Sequence, residues 1–179
     1  MAVEQSKIES KTRLKRVFCD LIRRSTLALS ATILVFSPSI VNAFSEKDLG
    51  KILSLDACLN CNLSKAHLAD LKLQDMELAG ANLSGAQLAK TDFEFSNMKG
   101  ANLSGADLAE TRLRSVHFVK ANLTNANLKK ADLAYASFLL ADLTGADFTD
   151  ADWPDKADFT LAKFCKTTWV DGSIKNKDC

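Results

Sequence analysis

The stretch Ala101-Asn102-Leu103-Ser104-Gly105-Ala106-Asp107-Leu108-Ala109-Glu110 is one five-residue word written twice. The word continues in both directions. From Leu63 to Trp153 every fifth residue is Leu, Phe, Met or Trp, nineteen times without a miss. Two residues earlier stands Ala at twelve of the nineteen, with Cys61, Leu71, Met76, Thr91, Ser96, Thr111 and Val116 at the rest. A fixed repeat decides the architecture before any other argument. Positions five apart wander round a helix, which turns about 100° per residue. The spacing of two inside each word, as in Ala101 and Leu103, is a short strand step with two side chains inward and one outward. The other two residues turn the chain, and Ser, Thr, Gly, Asn and Lys dominate there. Step and corner, repeated, predict an all-β solenoid with the large residue and Ala inside.

The A-(D/N)-L-x-x words resemble the pentapeptide-repeat family over about residues 58–179. The resemblance implies a right-handed, four-sided β-helix with about twenty residues per coil. At that spacing Asn62, Asn82, Asn102, Asn122 and Asp142 form one column, a candidate side-chain ladder along the axis. A second column, Lys72, Asp92, Arg112, Asp132 and Asp152, mostly sets opposite charges together.

The formal net charge of +1 hides an asymmetry. Residues 1–43 carry seven Lys/Arg against Glu4, Glu9 and Asp20, then an apolar run near Leu27–Phe36 and Val41-Asn42-Ala43. This reads as a secretory signal, residues 1–43, cleaved after Ala43. The alternative is a retained membrane anchor, but the apolar run is broken by Ser30, Thr32 and Ser37-Pro38 and is short for a span of about 20 residues. Arg23-Arg24 fits the twin-arginine route as well as general secretion, with Thr26 against it. Residues 44–57 read as an N-terminal capping helix. Ser45 and Asp48 form a capping-box pattern, Phe44 and Leu49 a hydrophobic staple, and the helix would cover the open first coil. Residues 58–153 are the repeats. Residues 154–179 hold shifted repeats after Pro154-Asp155, a turn at Asp171-Gly172 and a C-terminal cap.

The chain without its signal keeps four cysteines, Cys58, Cys61, Cys165 and Cys179, an even number that favours disulfides in an exported protein. In a solenoid of this family Cys58 and Cys165 stand about five coils, or roughly 25 Å, apart, beyond disulfide reach. The pairs are then Cys58–Cys61 and Cys165–Cys179. The two ends, Cys58-Leu59-Asn60-Cys61 and the tail from Phe164 to Ile174, resemble lumenal pentapeptide proteins of cyanobacteria and plastids. That resemblance implies the thylakoid lumen, or otherwise the periplasm.

A solenoid filled by Leu, Phe and Ala leaves no cleft for a catalytic constellation, so no enzyme, metal or cofactor is expected. His67 and His117 stand at outward positions of different sides, and Ser115 or Ser137 beside His117 makes a weak hydrolase pattern. Cys58-x-x-Cys61 is the one sharp chemical candidate, a redox pair if a thiolate were exposed; its inward phases favour a structural cross-link. Late acids, Asp142, Asp147, Asp150, Asp152, Asp155 and Asp158, invite comparison with family members that imitate DNA and bind gyrase. The earlier Lys and Arg residues break that field, and export would separate the protein from gyrase. A slightly acidic exported chain gives no nucleic-acid footprint. The reading is a non-enzymatic scaffold for an unidentified protein partner, without stable membrane insertion after processing, as a monomer or weak dimer. The alternative is a redox-responsive lumenal factor using Cys58 and Cys61.

Overall fold

The computed structural model describes Ser45, Asp48, Lys51, Ile52 and residues 57–152 and 157–179. The signal segment, the staple residues Phe44 and Leu49, and the break at Pro154-Asp155 lie outside these residues.

Each repeat contributes one bridge to the coil above and one to the coil below. Asn62 pairs with Asn82, which pairs with Asn102, always parallel and always twenty residues on. Four repeats therefore complete one coil, and four ladders run along the rod, named here by the Asn62, His67, Lys72 and His117 positions. Every step uses two backbone bonds. Leu63 N–H donates to the Asn82 carbonyl at 2.7 Å, and Asn82 N–H to the Cys61 carbonyl at 2.8 Å. After residue 152 the offset becomes twenty-one, as in Ser137 with Asp158 and Asp142 with Lys163. One inserted residue is absorbed and the ladders continue.

The corners are four-residue turns. Ala66 N–H donates to the Leu63 carbonyl at 3.0 Å, and Lys65 between them sits at φ 58°. That third position of a type II turn requires φ above zero. Glycine supplies it freely at Gly105 (φ 64°), with open space where a Cβ would stand. Lys65, Lys90, Tyr135 and others adopt it as L-residues, each at a cost of about 1 kcal/mol.

Inside, the large side chain of each described repeat from Leu63 to Phe148 is at most 5% exposed. Thr91, Ser96, Thr111 and Thr167 take the small inward position without leaving a polar group unsatisfied. The Thr91 hydroxyl, for example, donates to the Leu68 carbonyl one coil back at 2.7 Å. The filling changes along the axis. Phe118, Phe138 and Phe159 stack with centroids 5.0 and 4.9 Å apart, while Leu and Met fill the same place earlier.

At the N-terminal end Asp48, Lys51 and Ile52 are helical. Asp48 N–H lies 3.3 Å from Ser45 Oγ, half of a capping box. The reciprocal bond is replaced: Ser45 N–H donates to the Asn62 carbonyl at 2.9 Å, and Asn62 N–H donates to Asp48 Oδ2 at 3.0 Å. These two bonds give the Asn62 N–H and carbonyl partners at the N-terminal edge of the Asn62 ladder. At the other end β1 (Thr167–Thr168) pairs antiparallel with β2 (Ile174–Lys175). The turn between them carries Gly172 at φ 76°.

Candidate functional site

The repeat's middle residue, Asn or Asp, points outward and first serves its own corner. Its Oδ1 accepts the backbone N–H two residues on: Ser84 to Asn82 at 3.2 Å, Ser104 to Asn102 at 3.1 Å, Thr124 to Asn122 at 3.0 Å, Thr144 to Asp142 at 2.9 Å. This is the Asx turn that makes these residues good corner formers. Axial amide bonds come second. Asn82 donates to Asn62 and Asn102 to Asn82, both at 3.4 Å, and among the described residues the side-chain ladder stops there. Shorter axial bonds occur elsewhere, Asn97 to Glu77 at 2.9 Å and Asn127 to Asp107 at 2.8 Å.

Charges interlock diagonally as well as along columns. Arg112 reaches Asp92 at 3.5 Å in the Lys72 ladder, and Arg114 spans Glu94 and Asp132, each at 3.5 Å. The late acids do not form one face. Asp142, Asp147, Asp152 and Asp158 belong to four different ladders, and the first two face Lys163 at 3.4 Å and Lys129 at 3.2 Å. Burial pushes the Asp147 carboxyl up, but the Thr149 hydroxyl and N–H and the Lys129 ammonium outweigh it and hold it below the usual range. Acids that cluster in sequence are thus dispersed round the rod.

His67 and His117 are exposed on different ladders. His117 bridges Ser137, which bridges Asp158, so three catalytic residue types share a column. The order is wrong for a triad: the Ser137 hydroxyl lies 3.5 Å from Asp158 Oδ2, leaving the carboxylate on the serine and not on the histidine. The column is also an open surface. Among the described residues no group of His, Cys, Asp and Glu could hold a metal ion. No helix of the described residues is long and apolar enough to cross a membrane.

The cysteines sit at the two ends. Cys58 and Cys61 are at disulfide distance, their Cα atoms 5.3 Å apart, and are only 1% and 2% exposed. Lys51 Nζ stands 4.0 Å from Cys61 Sγ, and the Asp48 carbonyl oxygen 3.2 Å from Cys58 Sγ. Cys165 and Cys179 are also at disulfide distance, Cα atoms 4.9 Å apart, with Cys179 exposed. The tail is held besides by Asp178 N–H on the Phe164 carbonyl at 2.8 Å and Lys166 N–H on Asn176 Oδ1 at 2.9 Å. An open recess of about 260 Å³ lies there, walled by Phe164, Trp169, Lys175 and Lys177.

One surface feature escaped the sequence reading. Of the six exposed large apolar residues among the described residues, Leu59, Phe95, Tyr135, Leu140 and Leu161 border the His117 ladder, and Ile174 lies elsewhere. The signal was present as apolar residues at outward phases, and counting only the inward clock hides it.

The model of the family described as pentapeptide repeats matches residues 61–100, 96–133 and 121–152, with eight copies. Among solved structures, a pentapeptide repeat protein from the Arabidopsis thaliana thylakoid lumen is 27% identical, with a TM-score of 0.52 over 57% of this chain and 69% of its own. HetL, a pentapeptide repeat protein involved in heterocyst differentiation regulation in the cyanobacterium Nostoc, is 28% identical (TM-score 0.41, 66% of this chain, 64% of its own). QnrB1, a plasmid-mediated fluoroquinolone resistance protein, is 22% identical (TM-score 0.32, 59% of this chain, 69% of its own). The search of curated proteins finds no match.

Proposed function

The chain belongs to the pentapeptide-repeat family, and from that membership we propose that it is a non-enzymatic, exported scaffold that presents a rigid surface to a protein partner. The observation that carries this reading is the filled interior: the large side chain of each described repeat from Leu63 to Phe148 is turned inward and buried, so chemistry is left to the outside, where side chains repeat at fixed spacing. Solenoids use such surfaces for binding. The finer architecture we assign is the right-handed, four-sided helix, closed by the segment around Asp48 at one end and by the tail at the other. Disulfides Cys58–Cys61 and Cys165–Cys179 would fix the two closures. Residues 1–43 are the removed signal in this reading. The thylakoid lumen is favoured over the periplasm by likeness to one lumenal protein.

Proximity labelling from this protein in the intact compartment tests the scaffold role. A recurrent partner, lost when one ladder's outward residues are replaced, supports it; repeated capture of nothing overturns it. Amino-terminal sequencing of the processed protein tests export, with Phe44 the expected first residue.

A second reading keeps Cys58 and Cys61 as a redox pair. The Lys51 ammonium 4.0 Å from Cys61 Sγ is the observation that favours it. The burial of both sulfurs counts against it. Replacing both with Ser separates the readings: the scaffold loses some stability and keeps its partner, whereas a redox factor loses function while still folded.

A further inference from the structure

The tail supplies to the last coil what each earlier coil receives from its successor. One coil before, Leu143 and Gly145 donate their N–H groups to the carbonyls of Lys163 and Cys165 at 3.0 and 2.8 Å. The corresponding donors of the last coil, at the offset of the Asp142 and Lys163 bridge, are Phe164 and Lys166. Tail side chains take the place of carbonyls there. Phe164 N–H donates to Asp178 Oδ2 at 2.8 Å, and Lys166 N–H donates to Asn176 Oδ1 at 2.9 Å. Asp178 N–H returns a bond to the Phe164 carbonyl at 2.8 Å. The tail thus closes a strand edge that would otherwise be open.

Its hold on that edge is slight. Each residue from 171 to 179 is exposed, so the tail contributes no buried side chain, and segments with few buried contacts open locally at small cost. With the Cys165–Cys179 disulfide assigned above as the premise, that bond is the principal tether.

Access separates the two cysteine pairs. Thiol–disulfide exchange needs a thiolate to reach a sulfur. Cys58 and Cys61 are 1% and 2% exposed, whereas Cys179 is exposed.

We propose that residues 171–179 are a reductively detachable cap on the strand edge of the last coil, with a dithiol as the reductant. One thiolate of the dithiol attacks Cys179 Sγ, the bond between the two cysteines breaks, and Cys165 leaves as a thiolate that takes up a proton. The second thiol of the reductant then displaces Cys179 from the mixed disulfide. Two electrons and two protons pass to the cysteine pair, and the dithiol becomes a disulfide. The released tail carries Asp178 and Asn176 away from Phe164 and Lys166. The edge left behind is of the kind that pairs with an extended backbone. Reduction therefore converts a closed end of the rod into an open one. The device does not depend on the scaffold reading.

Dithiothreitol added to the full, oxidised chain tests this, with thiol alkylation read by peptide mapping and amide exchange read by NMR. Before reductant, Cys165 and Cys179 should resist alkylation. Afterwards they should be alkylated at least about tenfold faster than Cys58 and Cys61. Exchange at Phe164 and Lys166 N–H should rise at least about tenfold while Leu143 and Gly145 N–H stay protected. Reoxidation should restore the protection. A variant carrying Cys165→Ser and Cys179→Ser should show the open state without reductant, and dithiothreitol should not change those two amides further. Alkylation of Cys165 and Cys179 before reductant would remove the disulfide assignment itself. A disulfide present but reduced no faster than Cys58–Cys61, or reduced with the Phe164 and Lys166 amides still protected, would overturn the cap and leave the assignment standing.

Discussion

The two ends of this rod are built from the same repeat and stabilised differently. One interior column runs through Cys58, Leu78 and Met98, then Phe118, Phe138 and Phe159. Its first half is aliphatic and ends in a cysteine pair sealed from water. Its second half is a continuous aromatic stack, continued by Phe159 against Trp169 at 5.3 Å and closed by a tail whose last residue, Cys179, is exposed. The N-terminal end thus depends on burial and on two hydrogen bonds, Ser45 N–H to the Asn62 carbonyl and Asn62 N–H to the Asp48 carboxylate. The C-terminal end depends on aromatic surface, with Cys165 and Cys179 at disulfide distance across a long loop. A solenoid makes each coil depend on its neighbours alone, so the ends can be tuned independently. The difference shows that the repeat sets the shape while side-chain choice distributes the stability.

The largest test removes the centre of each half. Phe138→Ala should cost about 3–5 kcal/mol and Leu78→Ala somewhat less, about 2–4 kcal/mol, by denaturant unfolding. Equal losses would mean that the aromatic filling contributes no more than the aliphatic filling and would erase the distinction between halves. Next come the cysteine pairs. Replacing Cys165 and Cys179 with Ser opens a fifteen-residue loop, worth about 3 kcal/mol in chain entropy, whereas the Cys58–Cys61 loop is worth about 2 kcal/mol. Hydrogen exchange should show the first change freeing Phe164, Lys166 and Gly172 N–H while the first coil stays protected. If both replacements loosen both ends together, the ends are one cooperative unit.

The middle of the rod supplies the baseline for either end, and it also shows what the sequence could reveal. The clock, the inward phases and the solenoid were legible because packing demands apolar residues at those places. The hydrogen-bond role of Asn was legible in type but not in direction. Stacked Asn62, Asn82 and Asn102 pointed to an axial ladder, yet each Oδ1 goes first to the N–H two residues on, a local demand that a column cannot display. The acids misled in the opposite way, because residues adjacent in sequence are turned to different ladders at every corner. The His117 patch went unseen since apolar residues at outward phases break no repeat. Asn82→Asp should therefore keep stability within a few tenths of a kcal/mol, and Asn82→Ala should lose about 1 kcal/mol. An Asp variant as damaged as the Ala variant would restore the axial amide bond as the main role.

The smallest expected effect is a pH response that should separate the ends residue by residue. At the N-terminal end the Lys51 ammonium, then the Asn62 N–H, hold the Asp48 carboxyl below its ordinary value of 3.8. At the C-terminal end the Ser173 hydroxyl, then its N–H, do the same for Asp171. A depressed carboxylate contributes stability that is fully present above its unfolded value and lost as pH falls through the folded one. Protection of the Asn62 and Ser173 amides, corrected for intrinsic exchange, should therefore be flat at neutral pH and decline only below about pH 4. Asp48→Asn should remove the decline at Asn62 and leave it at Ser173, and Asp171→Asn should do the reverse. Each carboxylate touches only its own terminal coil or turn, so neither substitution has a route to the far end. A change that crossed the rod would require coupling through the stacked interior, and would show that the aliphatic and aromatic halves respond as one body.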